Sequence, residues 1–534
     1  MNKKLYKTGA TALTITLLGS LLAACGSSGD SAGSSNTAAV VNKDGYPVVE
    51  EPITLTMMSK DTGMQNWNDM AVFDEMEKLT NIKFEFANAP MDSFDTKKNL
   101  VFASGDLPDI FYGADLKPGE EVTYGSQGVL LPLEDLIDTY APNLKKLLDE
   151  NPEIRKSITT PDGHIYTLPS INLSSIWYQG PIWYNGDFLK ALKVEELPKT
   201  TEEFYTYLKR VKEEDPNGNG KADEIPLTSV KLTDIRQFLL GAWGISNMEY
   251  YADEEGKVHY TPMEEGYREY LTFMNRLWNE NLLDHETFSQ TDEQKKSKGK
   301  NNQIGAFSDY HPYFTLGGEP STDDKMMYPL KSDMVDEPVY GSHPGITTGT
   351  FALSLTNPAP EASIRWVDYL YSVEGATMFA SGPEGALWDY VNKETHEKKW
   401  LPLEEGVDRE ETRATLTPNY GIVPPGLENE EVKLGLKNDF DEWIDKENEE
   451  KLVPYARVGY PIVYLLPEEQ DEVSRLLSDL KTYVEQMEAK FVTGQEPLTG
   501  WDSYLAQVKK MGGDRIAEIY QAAYDRWNQT GKKE

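Results

Sequence analysis

Cysteine is nearly absent: the 534-residue chain has one, Cys25. A lone cysteine excludes an intramolecular disulfide, so stability has to come from core size or from a bound metal. Long apolar runs are scarce too. The one of note, about residues 10–22, falls short of the ~20 residues that a membrane-crossing helix needs. Cationic charge is the third deficit, with 52 Lys and Arg against 89 Asp and Glu and a formal net charge of −37. Such a field repels phosphate backbones and anionic head groups, which sets nucleic acid aside as a partner and weighs against a polyanionic ligand. The six histidines are scattered, with no two at metal-ligand spacing, and no HExxH, GxSxG, Walker A or dinucleotide glycine pattern occurs. What is present is length for two or more domains and 39% hydrophobic residues to fill their cores.

The apolar run follows Lys3, Lys4 and Lys7 and ends in Leu21-Leu22-Ala23-Ala24-Cys25-Gly26. A basic start, a short apolar centre and small residues before a cut site make a secretory signal. A leucine and two alanines ahead of the sole cysteine resemble the lipobox of bacterial lipoproteins. That resemblance implies a signal peptide over 1–24, cleavage leaving Cys25 first, and a diacylglycerol on its thiol. Two acyl chains anchor stably where one is marginal. Lipidation leaves no thiol nucleophile, and loss of three lysines takes the charge to about −40. The Gly/Ser/Ala-rich stretch that follows has no apolar period and reads as a flexible tether over 25–50.

From Ile53 the chain alternates strand and helix. Residues 53–58, 82–86 (Ile82, Phe84 and Phe86 alternating with Lys83 and Glu85) and 109–113 read as strands, with helices near 66–79 and from Ser93 to Gly105 between them. This order predicts a mostly parallel sheet, with ligands beyond strand ends near Ser59, Ala87 and Tyr112. A dense aromatic crossing follows at Trp177, Tyr178, Trp183 and Tyr184. The alternation resumes after Phe188, which suggests a second α/β lobe.

The sharpest chemical motif is Asp215-Pro216-Asn217-Gly218-Asn219-Gly220-Lys221-Ala222-Asp223-Glu224. Oxygen side chains at alternate positions, then glycine and a backbone carbonyl, wrap a hard cation in the EF-hand manner. Asp215, Asn217, Asn219, the Lys221 carbonyl and Asp223 fit positions one, three, five, seven and nine. Pro226 stands where the bidentate glutamate belongs, and Glu224 is the substitute in a more compact loop. Three carboxylates and two amides suit a structural Ca²⁺; the alternative is a plain Asn/Gly turn.

Eleven Trp and thirty Tyr exceed what cores alone require. Trp67, Tyr112, Trp177, Trp243 and Trp388 fall at loops. Taken singly each ring reads as core packing or lobe interface; as a set flanking strand ends they favour a saccharide cleft.

Several ordered motifs, among them Gly105-Asp106-Leu107-Pro108-Asp109, Leu131-Pro132-Leu133-Glu134, the 215–224 loop and Gly382-Pro383-Glu384-Gly385, resemble extracellular solute-binding proteins. The similarity is to the large LplA-like sugar-binding lipoproteins related to alginate-oligosaccharide-binding proteins, over about 52–527. It implies an α/β, two-lobed type II periplasmic-binding-protein clamshell with crossing hinge segments. Lobe 1 would take 51–170 plus 346–400, and lobe 2 171–345 plus 401–534. It further implies a compact calcium loop at 215–224, stacking residues at Trp243 and Trp388 with Glu384 beside them, and no catalysis. A monomer tied to the outer face of the membrane would pass an oligosaccharide to an ABC permease. The 89 acids leave room for a glycosidase pair, so a surface hydrolase, or a ligand-sensing lipoprotein, is the alternative.

Overall fold

The computed structural model describes residues 40–174 and 180–530. The expected signal peptide, Cys25 and Trp177 lie outside the described residues. The tether expected over 25–50 is too long by about ten residues. Val41 and Val49 form an antiparallel bridge, Val48 and Val49 are fully buried, and Arg365 donates to the carbonyls of Asn42 (3.2 Å) and Gly45 (2.9 Å). Two adjacent valines suffice to dock a segment that its polar surroundings made look unstructured.

Two larger sheets are built from β1 (Ile53–Met58), β2 (Ile82–Phe86), β3 (Ile110–Tyr112), β4 (Thr167–Asn172), β5 (Ile182–Tyr184), β6 (Ile225–Thr228), β7 (Ile304–Ser308), β8 (Lys325–Met326), β9 (Ile346–Leu353) and β10 (Gly426–Glu428). The first has the order β10-β4-β9-β3-β1-β2 and the second β8-β5-β7-β6. β1 pairs parallel with β2 (Ile53↔Ile82 through Met57↔Phe86) and with β3. β7 is buried along all five residues, the continuous apolar pattern of a central strand covered on both faces. Helices α1 (Ala71–Thr80) and α2 (Pro118–Ser126) belong to the first lobe; α3 (Thr201–Glu213), α4 (Asp439–Lys451) and α5 (Pro467–Thr493) belong to the second. α1 turns Val72, Phe73 and Met76 onto the first sheet. It stops at Asn81, whose φ of 60° is the left-handed conformation that asparagine tolerates at a helix end.

In each sheet the strand arriving from the other lobe runs against its neighbours. β9 is antiparallel to β3 and β4, and β5 is antiparallel to β7, which itself runs parallel to β6. A strand that starts at the crossing has to run opposite to strands that end there. The carboxyl ends of β1, β3, β4 and β10 in one sheet, and of β6 and β7 in the other, therefore point at the crossing segments.

The last crossing is later than the sequence suggested. Residues 401–436 stay with the first lobe: β10 pairs with β4, and Trp388 gathers Leu387, Leu436, Trp400, Leu403 and Leu416 into a small satellite core. Only from α4 onward, where Ile444 and Leu452 enter the second core, does the chain change lobes. Residues 459–466 then run between the two: Tyr460, Val463 and Leu465 pack on the second core and Ile462 on the first. Tyr464 donates its hydroxyl to Glu121 Oε2 on α2 (2.8 Å), and Thr167 does the same (2.7 Å). Glu121 is fully buried, with Oε1 lacking a hydrogen-bond partner. Burial pushes its carboxyl up to about 7 despite the hydroxyl donors.

The unfolded carboxyl titrates near ~4.3. Stability supplied by protonated Glu121 is thus complete below that pH and lost as pH rises through about 7. Glu121→Gln should abolish that loss, so thermal melts across this window should show the wild type falling relative to the variant. Parallel curves would contradict the assignment.

Candidate functional site

The rings expected to line a cleft are packed into cores instead. Trp67 is 2% exposed, stacked on Phe73 (5.5 Å between centroids) and edge-on to Phe86 and Tyr112. Tyr112 is fully buried, its hydroxyl 3.3 Å from Asn419 Oδ1. Trp243 packs against Tyr270 (5.9 Å) and Phe273 (5.7 Å). Trp388 donates its indole N–H to the Gly382 carbonyl (2.7 Å) at the centre of the satellite core. The local structure differs at each: Trp67 heads a helical turn (Trp67–Asp69), Tyr112 ends β3, Trp243 closes a turn that continues the helix Leu232–Leu239, and Trp388 opens a hairpin strand. Among the described residues of this set Glu384 alone is exposed, paired with Lys393 (2.8 Å). It borders a hollow of about 510 Å³ made only by the first lobe, with Tyr369, Glu374, Tyr390 and His396 in its wall.

Exposed aromatics stand elsewhere, singly at Tyr46, Phe288 and Tyr420 and as a pair at the carboxyl end of β7. Tyr310 is 48% and Phe314 41% exposed. His311 joins Tyr310 (4.9 Å), Tyr313 (5.3 Å), Phe314 (5.2 Å) and Phe440 (5.8 Å) in one ring cluster. Phe440 comes from the first turn of α4, capped by Asn438 accepting from the N–H groups of Phe440 and Asp441. Burial raises the Tyr310 hydroxyl above its usual range, and the carboxylates of Glu428, Asp441 and Asp445 push the same way. Lys437 pairs with Asp445 on α4 (2.7 Å) and with Glu430, two residues past the end of β10, so the cluster lies beside the crossing from β10 to α4. Burial holds His311 below its usual range. The run Asp309-Tyr310-His311-Pro312-Tyr313-Phe314 after an apolar Ile304–Ser308 was the available sequence signal.

The 215–224 loop joins α3 to β6. Asp215, itself at φ 48°, accepts from the N–H groups of Asn219 (3.2 Å) and Gly220 (3.0 Å). Asp223 accepts from the Asn219 (2.9 Å) and Asn217 (3.3 Å) amides, which lower its carboxyl. The Lys221 N–H donates to Asn219 Oδ1 (2.7 Å). Burial raises the Glu224 carboxyl, Asp215 adds to the effect, and Glu224 Oε1 is buried without a hydrogen-bond partner. Among the described residues no three His, Cys, Asp or Glu side chains stand together as a metal centre. The loop does bring Asp215 close enough to Glu224 to raise the Glu224 carboxyl, a donor set that suits a hard cation.

The family model described as bacterial extracellular solute-binding protein matches residues 66–377, more than half of the chain. The chain belongs to this family. Among curated relatives of this solute-binding protein, the fructooligosaccharide ABC transporter substrate-binding protein FusA of Streptococcus pneumoniae is 28% identical over 99% of both chains. The polygalacturonan/rhamnogalacturonan-binding protein YtcQ of Bacillus subtilis is 24% identical over 84% of this chain and 87% of its own. The solved FusA complex with kestose superposes with a TM-score of 0.73 at 27% identity, over 89% of this chain and 99% of that one. A FusA EF-hand mutant with fructo-nystose gives 0.72 at 26%, over the same shares. An HMO-binding solute-binding protein from Bifidobacterium longum infantis gives 0.78 at 22%, over 90% and 99%, a likeness of fold. The solute-binding protein is thus an α/β type II clamshell, and none of its described helices is long and apolar enough to cross a membrane.

In this solute-binding protein Trp67→Ala should cost about 3–5 kcal/mol of stability, because it empties a packed aromatic site. Denaturant unfolding measures this, and a variant as stable as wild type would place the ring outside the core.

Proposed function

We propose that this solute-binding protein captures an oligosaccharide between its lobes and hands it, chemically unchanged, to the permease subunits of an ABC importer. The observation that carries the reading is the aromatic cluster at the end of β7, set beside the crossing from β10 to α4 where the strand ends of both sheets converge. Exposed ring faces beside carboxylates are what a sugar needs: apolar area for its C–H face and acceptors for its hydroxyls. Full-length similarity to FusA and YtcQ, both named for glycan ligands, supports the same class. Lobe 1 is assigned 40–170 plus 346–436 and lobe 2 171–345 plus 437–534, hinged at the crossings. The protein works as a monomer on the outer face of the membrane, held through Cys25 by a lipid once the 1–24 signal is removed.

We assign the 215–224 loop to Ca²⁺, with Asp215, Asn217, Asn219, Asp223, Glu224 and the Lys221 carbonyl as donors. The unpartnered Glu224 oxygen, crowded by Asp215, is the support within the loop, and the EF-hand named in the FusA variant supports it from outside. Bound calcium would supply charge neutralisation to this loop and no chemistry.

Two measurements test these readings. Incubation with mixed oligosaccharides should give a ligand-induced thermal shift with every sugar recovered intact; cleavage products appearing with turnover would make the protein a hydrolase. Calcium should raise the melting temperature of chelator-treated protein, since a ligand that binds only the folded state stabilises it. Asp223→Ala should remove that response, and an equal response in the variant would leave the loop a simple turn.

A further inference from the structure

We propose that the ring cluster after β7 is a stacking subsite for a neutral sugar residue, and that the carboxylates around it turn uronates away. This rests on the oligosaccharide reading above and narrows it to a ligand class.

The platform is rigid. Phe440 packs on Trp443 (5.2 Å), and Trp443 on the fully buried Trp183 (6.2 Å), so the exposed rings are tied to the core of the second lobe. Asp309 fixes the loop beneath them. Its carboxylate accepts from the Tyr310 N–H (2.7 Å), Thr315 Oγ1 (2.6 Å) and Lys295 Nζ (3.2 Å), and its carbonyl accepts from the Trp183 indole (3.0 Å). Rings held this way meet a sugar face with little ordering left to do, which favours stacking over side-chain rearrangement.

The charge around the platform sets the class. Asp441 and Asp445 share α4 with Phe440, and Lys437 ties Asp445 to Glu430, two residues past Glu428 at the end of β10. Among the described residues, Lys433 pairs with Glu428 and Lys437 with both Asp445 (2.7 Å) and Glu430, while Lys325 lies over the Trp443 ring (5.3 Å) and donates to the Thr322 carbonyl (2.7 Å). A uronate brought here meets carboxylates and already paired lysines, so its own charge is uncompensated and partly desolvated. The hydroxyls of a neutral sugar donate to the same carboxylates as charge-assisted hydrogen bonds. One set of groups thus attracts the neutral ring and rejects the acidic one.

Isothermal titration of the full mature chain with kestose, maltotriose, xylotriose, mannotriose and trigalacturonate tests this. Heat is expected with at least one neutral trisaccharide and none with trigalacturonate. Tyr310→Ala and Phe314→Ala should each weaken the neutral ligand by at least ~10-fold, while Tyr310→Phe, which keeps the ring face, should retain most of the affinity. Should an alanine variant fail to fold, as judged by its melting temperature, the charge arm still decides. Glu428→Gln with Asp441→Asn releases Lys433 and should bring trigalacturonate into measurable binding. Tight trigalacturonate binding by the wild type overturns the proposal. So does a neutral ligand indifferent to both alanine variants, or a charge variant still blind to the uronate. If no member of the panel gives heat, it is the oligosaccharide reading itself that fails.

Discussion

A chain that leaves one hydrophobic core, builds another and returns has to begin its returning strand where the outgoing strand ended. That constraint makes β9 antiparallel within an otherwise parallel neighbourhood, and it does the same to β5 in the second sheet. It also aims the carboxyl ends of the remaining strands at the crossings. Strand ends of this kind are where open α/β sheets place their ligands. The position of the ring cluster at the end of β7 follows from this topology, as does the position of Glu428 at the end of β10. Each lobe contributes one side of the same gap because each obeys the same rule.

The crossings are also where buried polarity concentrates. Glu121 sits between α2, β4 and the 459–466 segment, tied by hydroxyls from Thr167 and Tyr464. A neutral apolar contact there would pack either way, whereas a carboxyl accepting from both sides specifies how the segment lies against the first lobe. The penalty is a group held in the wrong ionisation state at neutral pH. A hinge that must reopen tolerates this better than the interior of a lobe would. The second lobe keeps its own buried pair, Arg236 with Glu488, between α5 and the helix Leu232–Leu239. Charges so placed contribute little net stability relative to apolar groups but are costly to separate, so they enforce a unique packing.

How much of this could be read from the residues depended on the range of the signal. Period-two alternation at Ile82–Phe86 and the left-handed stop at Gly105 are local, and both elements were legible within a residue or two. The loop at 215–224 was legible as chemistry for the same reason, since its donors are consecutive. Direction in or out of a core is not local. Trp67 lies in the loop after a strand just as Tyr310 does, and only the fold-back of a short turn decides which ring meets solvent. The boundary near 400 failed likewise: Leu403, Leu416 and Leu436 look like the start of a new lobe until Trp388 is seen to gather them. Membership of the wider family was legible because it sums many weak motifs over the whole chain, where no single ring position does.

The deficits in the composition and the geometry of the site point the same way. Without disulfides, each lobe depends on apolar burial, and the second lobe's core draws heavily on Trp and Tyr. An aromatic core can extend outward without a break in packing, which is how Trp183 leads through Trp443 and Phe440 to rings that meet solvent. The same chain carries 89 acids against 52 bases, and near that surface Lys433 and Lys437 are drawn into pairs with neighbouring carboxylates. A surface assembled under those two conditions offers ring faces and hydrogen-bond acceptors and has little cationic character left to offer. Neutral, hydroxyl-rich molecules meet both conditions. Nucleic acids and other polyanions fail the second, whatever their shape.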